Sequence, residues 1–190
     1  MNTRQTSEII PANFKELVEN LIRDCFHCVN YKQLEHDLML DKYMLEHADI
    51  IDKANKLKII QMKVGNCWQR IIGYAFNIND LGVGHKTGLD LLSKKYKFCI
   101  ELKNRYNTDN ASARKTNYNK LKSYKISHPE FDCIYGVIND KKLEGQDKKI
   151  NVDGIEIHYL SGSNLLSFIF KDKKDEVLSI ISYCISKYLN

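Results

Sequence analysis

Apolar residues recur near the start of the chain at the spacing of one helix face. Phe14, Leu17, Val18, Leu21, Ile22, Cys25 and Val29 fall at i, i+3, i+4, i+7, i+8, i+11 and i+15, which stacks them on one side of a 3.6-residue repeat. Pro11 suits the first turn of that helix. From Tyr31 to Lys56 the sequence is rich in Leu, Met and His and lacks both Gly and Pro, which predicts a second helix. Val64, Trp68, Ile71, Ile72 and Ala75 predict a third, ending near Phe76. Residues 1–77 therefore read as a helical N-terminal part.

The pattern then changes. Asn79 to Gly84 is loop chemistry. Gly88 to Leu92 and Tyr96 to Lys103 read as two short strands around a polar Ser93-Lys94-Lys95 turn. Asp109 to Tyr124 is a polar, basic helix for which Asp109 or Asn110 is a fair N-cap, and Pro129 follows its end. Cys133 to Ile138 is a continuous apolar run of the buried-strand type. A charged loop from Asn139 to Lys149 leads to a strand pair around Asn151 to Tyr159, turned at Asp153-Gly154. Ser163 is placed to cap a short helix through Phe170. Val177, Ile180, Ile181, Cys184, Ile185 and Tyr188 form a last helical face. This order predicts an α/β fold with a mixed central β-sheet flanked by helices. We read residues 1–190 as one domain, with 78–190 as its α/β core.

Composition narrows the class. A chain of 190 residues with 43% hydrophobic residues can bury a proper core. Met1 to Ser7 lack the apolar run of a signal peptide, and no stretch approaches the ~20 apolar residues of a membrane span. The expectation is a soluble, cytoplasmic protein with no membrane partner, or one acting inside a virus-infected host. The six cysteines are then expected to be reduced. Cys25-Phe26-His27-Cys28 lacks a second ligand pair at zinc-site spacing. Charge is unevenly spread: from Lys94 to Lys125 ten basic residues face two acidic ones, a local +8 in a chain of net +5. Such a block is a plausible footprint for nucleic acid, and equally a solvated lysine-rich face.

The candidate chemistry lies inside that block. Side chains alternate along a strand, so Glu101 and Lys103 share one face with Leu102 on the other. A neighbouring strand can bring Asp90 beside Glu101. Two carboxylates can share a hard divalent cation, with Lys103 next to it to orient water and stabilise charge on a phosphate. An acidic-x-Lys tripeptide also begins at Asp140, Asp147 and Asp172, but only Glu101 belongs to an apolar strand. The plain alternative is a Glu101–Lys103 ion pair on an exposed strand face.

Gly88-Leu89-Asp90 followed by Glu101-Leu102-Lys103 resembles the PD-(D/E)XK nuclease superfamily, with Leu89 in place of the proline. The runs His85 to Asp90 and Glu101 to Asn110 are similar to those of small type II restriction endonucleases. The resemblance implies a restriction-endonuclease-like core and a single nuclease domain. It implies that Asp90, Glu101 and Lys103 are catalytic. Asp90, Glu101 and the main-chain carbonyl of Leu102 would hold Mg²⁺, for which Mn²⁺ can substitute. In-line hydrolysis of double-stranded DNA at a short palindromic site would leave 5′-phosphates.

Around that site, His85, Lys86, Asn104, Arg105, Asn107, Thr108, Asn110, Arg114 and Lys115 are candidate DNA contacts. Amides can read adenine and arginine can read guanine; for Thr108 and Asn110 helix capping and phosphate contact is the preferred reading. Lys120 and Lys122 would add salt-dependent affinity. Gln69 is a possible accessory residue, and Glu35 or Glu46 could add a carboxylate. A two-fold DNA site implies a homodimer, and restriction implies a cognate DNA methyltransferase. A repair or recombination nuclease of the same superfamily and a non-catalytic nucleic-acid-binding module are the competing readings.

Overall fold

The computed structural model describes residues 9–27, 62–82, 84–107, 109–142 and 144–189. The expected second helix, with Glu35 and Glu46, lies outside these residues. Helix α1 is Phe14–His27, and α2 covers residues 62–73. Strands β1 (Asn79–Asp80), β2 (Leu91–Ser93) and β3 (Phe98–Arg105) follow, then α3 (Ala111–Ser127) and β4 (Asp132–Asn139). Next come β5 (Asp147–Val152), β6 (Ile155–Ser161), α4 (Gly162–Phe170), a short 3-10 turn, and α5 (Lys174–Leu189).

The strands form one mixed six-stranded sheet in the order β1-β2-β3-β4-β6-β5. β3, β4 and β6 are parallel, and the remaining neighbours are antiparallel. The sheet separates two apolar cores. On one face Ile100, Leu102, Ile134 and Leu160 pack with α1, α2, α4 and α5 through Phe14, Ile72, Leu165, Phe170 and Val177. On the other, Cys99, Cys133, Tyr135 and Ile157 pack beneath α3 through Leu121. Alternation along β3 and β4 accounts for the division. β4 carries apolar residues on both faces because helices cover both. The fold is α/β with a helix-flanked mixed sheet, as the sequence pattern predicts. Among the described residues no helix is long and apolar enough to cross a membrane.

Several local expectations are corrected. Pro11 precedes α1, and its carbonyl accepts the Phe14 N–H at 2.9 Å. β2 begins at Leu91 because Gly88 adopts φ 66° and the Leu89 N–H bonds the Thr87 hydroxyl at 3.3 Å. Ser93 belongs to β2; the turn falls on residues 94–97, with Lys97 at φ 54° and the Ser93 Oγ accepting the Tyr96 N–H. Asn79–Asp80 is a short edge strand, held where a Cβ on Gly73 would stand 2.8 Å from that of Asp80. Ser161 takes the position before α4, and its hydroxyl donates to Asp140. Cys99, Cys133 and Cys184 are buried free thiols, but Cys67 is disulfide-bonded, contrary to the expectation of reduced cysteines; no spacing rule marks a single cysteine for pairing.

Candidate active site

The β2–β3 hairpin builds the site. Its register pairs Leu91 with Ile100, and the Asp90 N–H donates to the Ile100 carbonyl at 3.1 Å. Asp90 therefore stands one step beyond β2, opposite Glu101. Its Oδ2 accepts the Leu102 N–H at 2.7 Å. The hairpin thus brings together two acids that lie eleven positions apart in the chain.

Glu101 is only 3% exposed, with Lys103 Nζ at 2.8 Å and Lys120 Nζ at 3.6 Å from its Oε1. Its Oε2 is buried and has no hydrogen-bond partner among the described residues. Burying a carboxylate oxygen without a donor is costly, so this atom marks a place where something cationic or protic belongs. Asp90 is affected too: burial, then the adjacent Glu101 charge, pushes its carboxyl up to about 6 against the opposing effects of the Leu102 N–H and the two lysines. Burial works against the Lys103 ammonium, but the Glu101 bond and charge outweigh it and hold its pKa above the ordinary lysine value.

A cavity of about 210 Å³ opens beside Asp90 and Lys103, at the carboxyl ends of parallel β3 and β4. Asp90, Leu102, Lys103, Asn104 and Ile138 line it from the sheet, and Gly65, Asn66, Trp68 and Gln69 from α2. Ligands in open α/β sheets gather at such strand ends. Gln69 lines the cavity, and its Nε2 donates to Asp80 Oδ1 at 2.7 Å.

The other candidates are dispersed around this centre. The carbonyl and Oδ1 of Asn104 accept from Asn139 Nδ2 at 3.0 and 2.9 Å. Arg105 and Asn107 are exposed at and just past the end of β3. Thr108 lies outside the described residues. Asn110 is the N-cap of α3, its Oδ1 accepting the Ala113 N–H at 2.8 Å, so the capping reading fits it. Arg114 donates to the Tyr106 and Asp109 carbonyls at 3.2 and 3.4 Å. Lys115 is exposed on α3, Lys86 is exposed in the loop before β2, and His85 Nδ1 and Thr87 Oγ1 are hydrogen-bonded at 2.8 Å.

The basic block divides in two. Lys122 pairs with Asp153 at 2.7 Å, and Lys125 donates to the Pro129 and Phe131 carbonyls at 2.8 and 2.6 Å. These lysines hold the fold together, whereas Lys120 reaches the acidic pair. Sequence reasoning placed Lys120 only among general affinity residues. The one local signal was its place on the sheet-facing side of α3, between the buried Asn117 and Leu121. Asp109, offered by the sequence only as an alternative cap, leaves the cap to Asn110: its Oδ2 accepts from Asn117 at 2.7 Å and Tyr135 at 2.8 Å, tying the loop after β3 to α3 and β4.

The family model described as Eco47II restriction endonuclease matches residues 10–165, most of the chain. The chain belongs to that family. No curated protein matches it individually. Membership makes the chain a type II restriction endonuclease, a hydrolase of DNA phosphodiester bonds, with DNA as its substrate. The reading as a non-catalytic binding module falls away. The matched segment includes Asp90, Glu101, Lys103 and Lys120, and residues 166–190 beyond it contain the end of α4 and all of α5.

Proposed function

We propose that this endonuclease cuts duplex DNA at a short palindromic site, with Mg²⁺ held by Asp90 and Glu101 and with Lys103 assisting the attack. The observation that carries the reading is the buried Oε2 of Glu101, without a partner among the described residues, beside Asp90 and Lys103. Two carboxylates, with the Leu102 carbonyl as a further oxygen, suit a hard cation that keeps several waters and takes others of its ligands from a phosphate. Mn²⁺ would be accepted as well. Bound there, the cation supplies positive charge to the phosphoryl oxygens and acidity to water.

Lys103 donates hydrogen bonds to the attacking water and to the phosphate. The water gives up a proton to bulk solvent, and its oxygen bonds to phosphorus as the P–O3′ bond breaks. The 3′ oxygen leaves as a hydroxyl after gaining a proton from solvent, and the new 5′ end keeps the phosphate. Gln69 packs against the Asp90 side of the cavity as an accessory group. Asn104, Arg105 and Asn107 approach base edges, while His85, Lys86, Thr108, Asn110, Arg114 and Lys115 meet the backbone. Residues 1–190 act as one nuclease domain. Two copies related by a two-fold axis each cut one strand, and a methyltransferase acting on the same site protects host DNA.

Incubation of supercoiled plasmid with the protein and Mg²⁺ is expected to give discrete fragments bearing 5′-phosphates, and chelation is expected to abolish them. Asp90→Ala and Lys103→Ala should each lower the cleavage rate at least about a hundredfold. Full activity in either variant would remove these residues from the site.

A further inference from the structure

Lys120 enters the site from a different element than Lys103. It projects from the middle of α3 toward β3, and its Nζ lies 3.6 Å from Glu101 Oε1. Its path is specifically accommodated. Gly88 adopts φ 66°, and a Cβ there would stand 3.3 Å from Lys120 Cδ and 3.4 Å from its Cε. The glycine turn ahead of Asp90 thus forms a notch along which the lysine stem runs. Lys120 is also the more accessible of the two lysines, at 35% exposure against 20% for Lys103. It lines an open groove of about 550 Å³ together with Thr87, Thr116, Asn119 and Ser123. One ammonium group is therefore shared between a buried carboxylate and an open groove whose hydroxyl and amide side chains can meet a sugar–phosphate strand while Tyr124 and His128 supply apolar wall.

Charge balance says what this second ammonium is for. Two carboxylates and two lysines neutralise one another in the protein alone. A divalent cation on the carboxylates leaves the centre with an excess of two positive charges. A phosphodiester brings one negative charge, and its five-coordinate transition state brings two. With both lysines present the balance closes at the transition state; with Lys103 alone the centre would be one positive charge short there. Interactions that are complete only in the transition state are those that raise the rate.

We propose that Lys120 is a second catalytic lysine, which leaves Glu101 to donate to a non-bridging oxygen of the phosphate being cut. The proposal rests on the reading of Asp90, Glu101 and Lys103 as the cleavage centre. It gives Lys120→Met a signature that structural damage cannot mimic. Losing an ammonium next to Glu101 strengthens Mn²⁺ binding to the DNA-free protein, while losing the phosphate donor slows cleavage.

The test compares the full-length parent, Lys120→Met, Lys120→Arg and Lys103→Met. Mn²⁺ affinity is measured by calorimetry without DNA, and plasmid cleavage under single turnover. Lys120→Met is expected to bind Mn²⁺ several-fold more tightly and to cleave about a hundredfold more slowly, with Lys120→Arg recovering most of the rate. Cleavage by Lys120→Met within threefold of the parent would overturn the proposal, as would weaker Mn²⁺ binding accompanying a slower rate. If Lys103→Met also cleaves normally, the underlying assignment of the centre fails as well; if only Lys120→Met does, that assignment stands.

Discussion

Glu101 and Asp90 show in two side chains what the site costs the fold. Glu101 is buried and Asp90 half-buried, they stand side by side, and one oxygen of Glu101 finds no partner among the described residues. Sites held ready for a ligand commonly sacrifice stability in this way. Asp90→Asn keeps an acceptor for the Leu102 N–H and removes one of the two like charges. It is expected to abolish cleavage and to stabilise the chelator-treated protein by about 1 kcal/mol at neutral pH. Urea unfolding checks this, and a loss of stability would mean that the charge itself holds the hairpin. At this scale the acidic pair and Lys103 could be read from the sequence, because strand alternation and a hairpin suffice to bring them together. Lys120 could not, since its approach depends on how α3 lies across β3 and on the notch at Gly88, and no short-range pattern encodes either. Asn110 shows the opposite limit: the sequence allowed a cap or a DNA contact, and the Ala113 N–H decides what its side chain does in the protein alone.

The elements differ in how clearly the chain announces them. α1 and β4 are plain in the sequence because each has one uninterrupted burial pattern, a helical stripe or a run of apolar residues. β2 is shorter than the pattern suggests because Gly88 turns the backbone before Leu91. The start of α4 shifts from Ser163 to the residue after Ser161 because Ser161 is already engaged with Asp140. That engagement joins the end of β4 to the end of β6. Burial opposes ionisation of Asp140, but bonds from Ser161, the Lys141 N–H and Gln146 outweigh it and hold its pKa below the ordinary 3.8. A carboxyl with a depressed folded pKa releases its proton more readily folded than unfolded. Its contribution is therefore complete above 3.8 and fades as pH falls through the lower folded value. Asp140→Asn is expected to cost about 1–2 kcal/mol at pH 7, and the difference from the parent should shrink as denaturation is measured below pH 3.8. A difference that is constant with pH would mean that shape, not charge, makes the clamp.

Across the whole molecule, the sheet is shared property. β3 gives Ile100 and Leu102 to the core beneath α1, α4 and α5, and Cys99 to the core beneath α3, while Glu101 and Lys103 occupy the same face as Cys99. Trp68, the chain's single tryptophan, lines the cavity from α2 and packs against the first core. It reports on whether the helical N-terminal part and the α/β core unfold together. Phe170 is fully buried and meets Phe14 edge to face at 6.5 Å, fastening α4 to α1. Phe170→Ala should lower stability by about 3–5 kcal/mol. If residues 1–190 act as one domain, Trp68 fluorescence and far-UV ellipticity will trace one coincident urea transition in the parent, and both will move together in the variant. If the fluorescence transition separates from the ellipticity transition, α2 and its neighbours form a unit of their own, and the α2 wall of the cavity is then able to move independently of Asp90 and Lys103, which line it from the sheet.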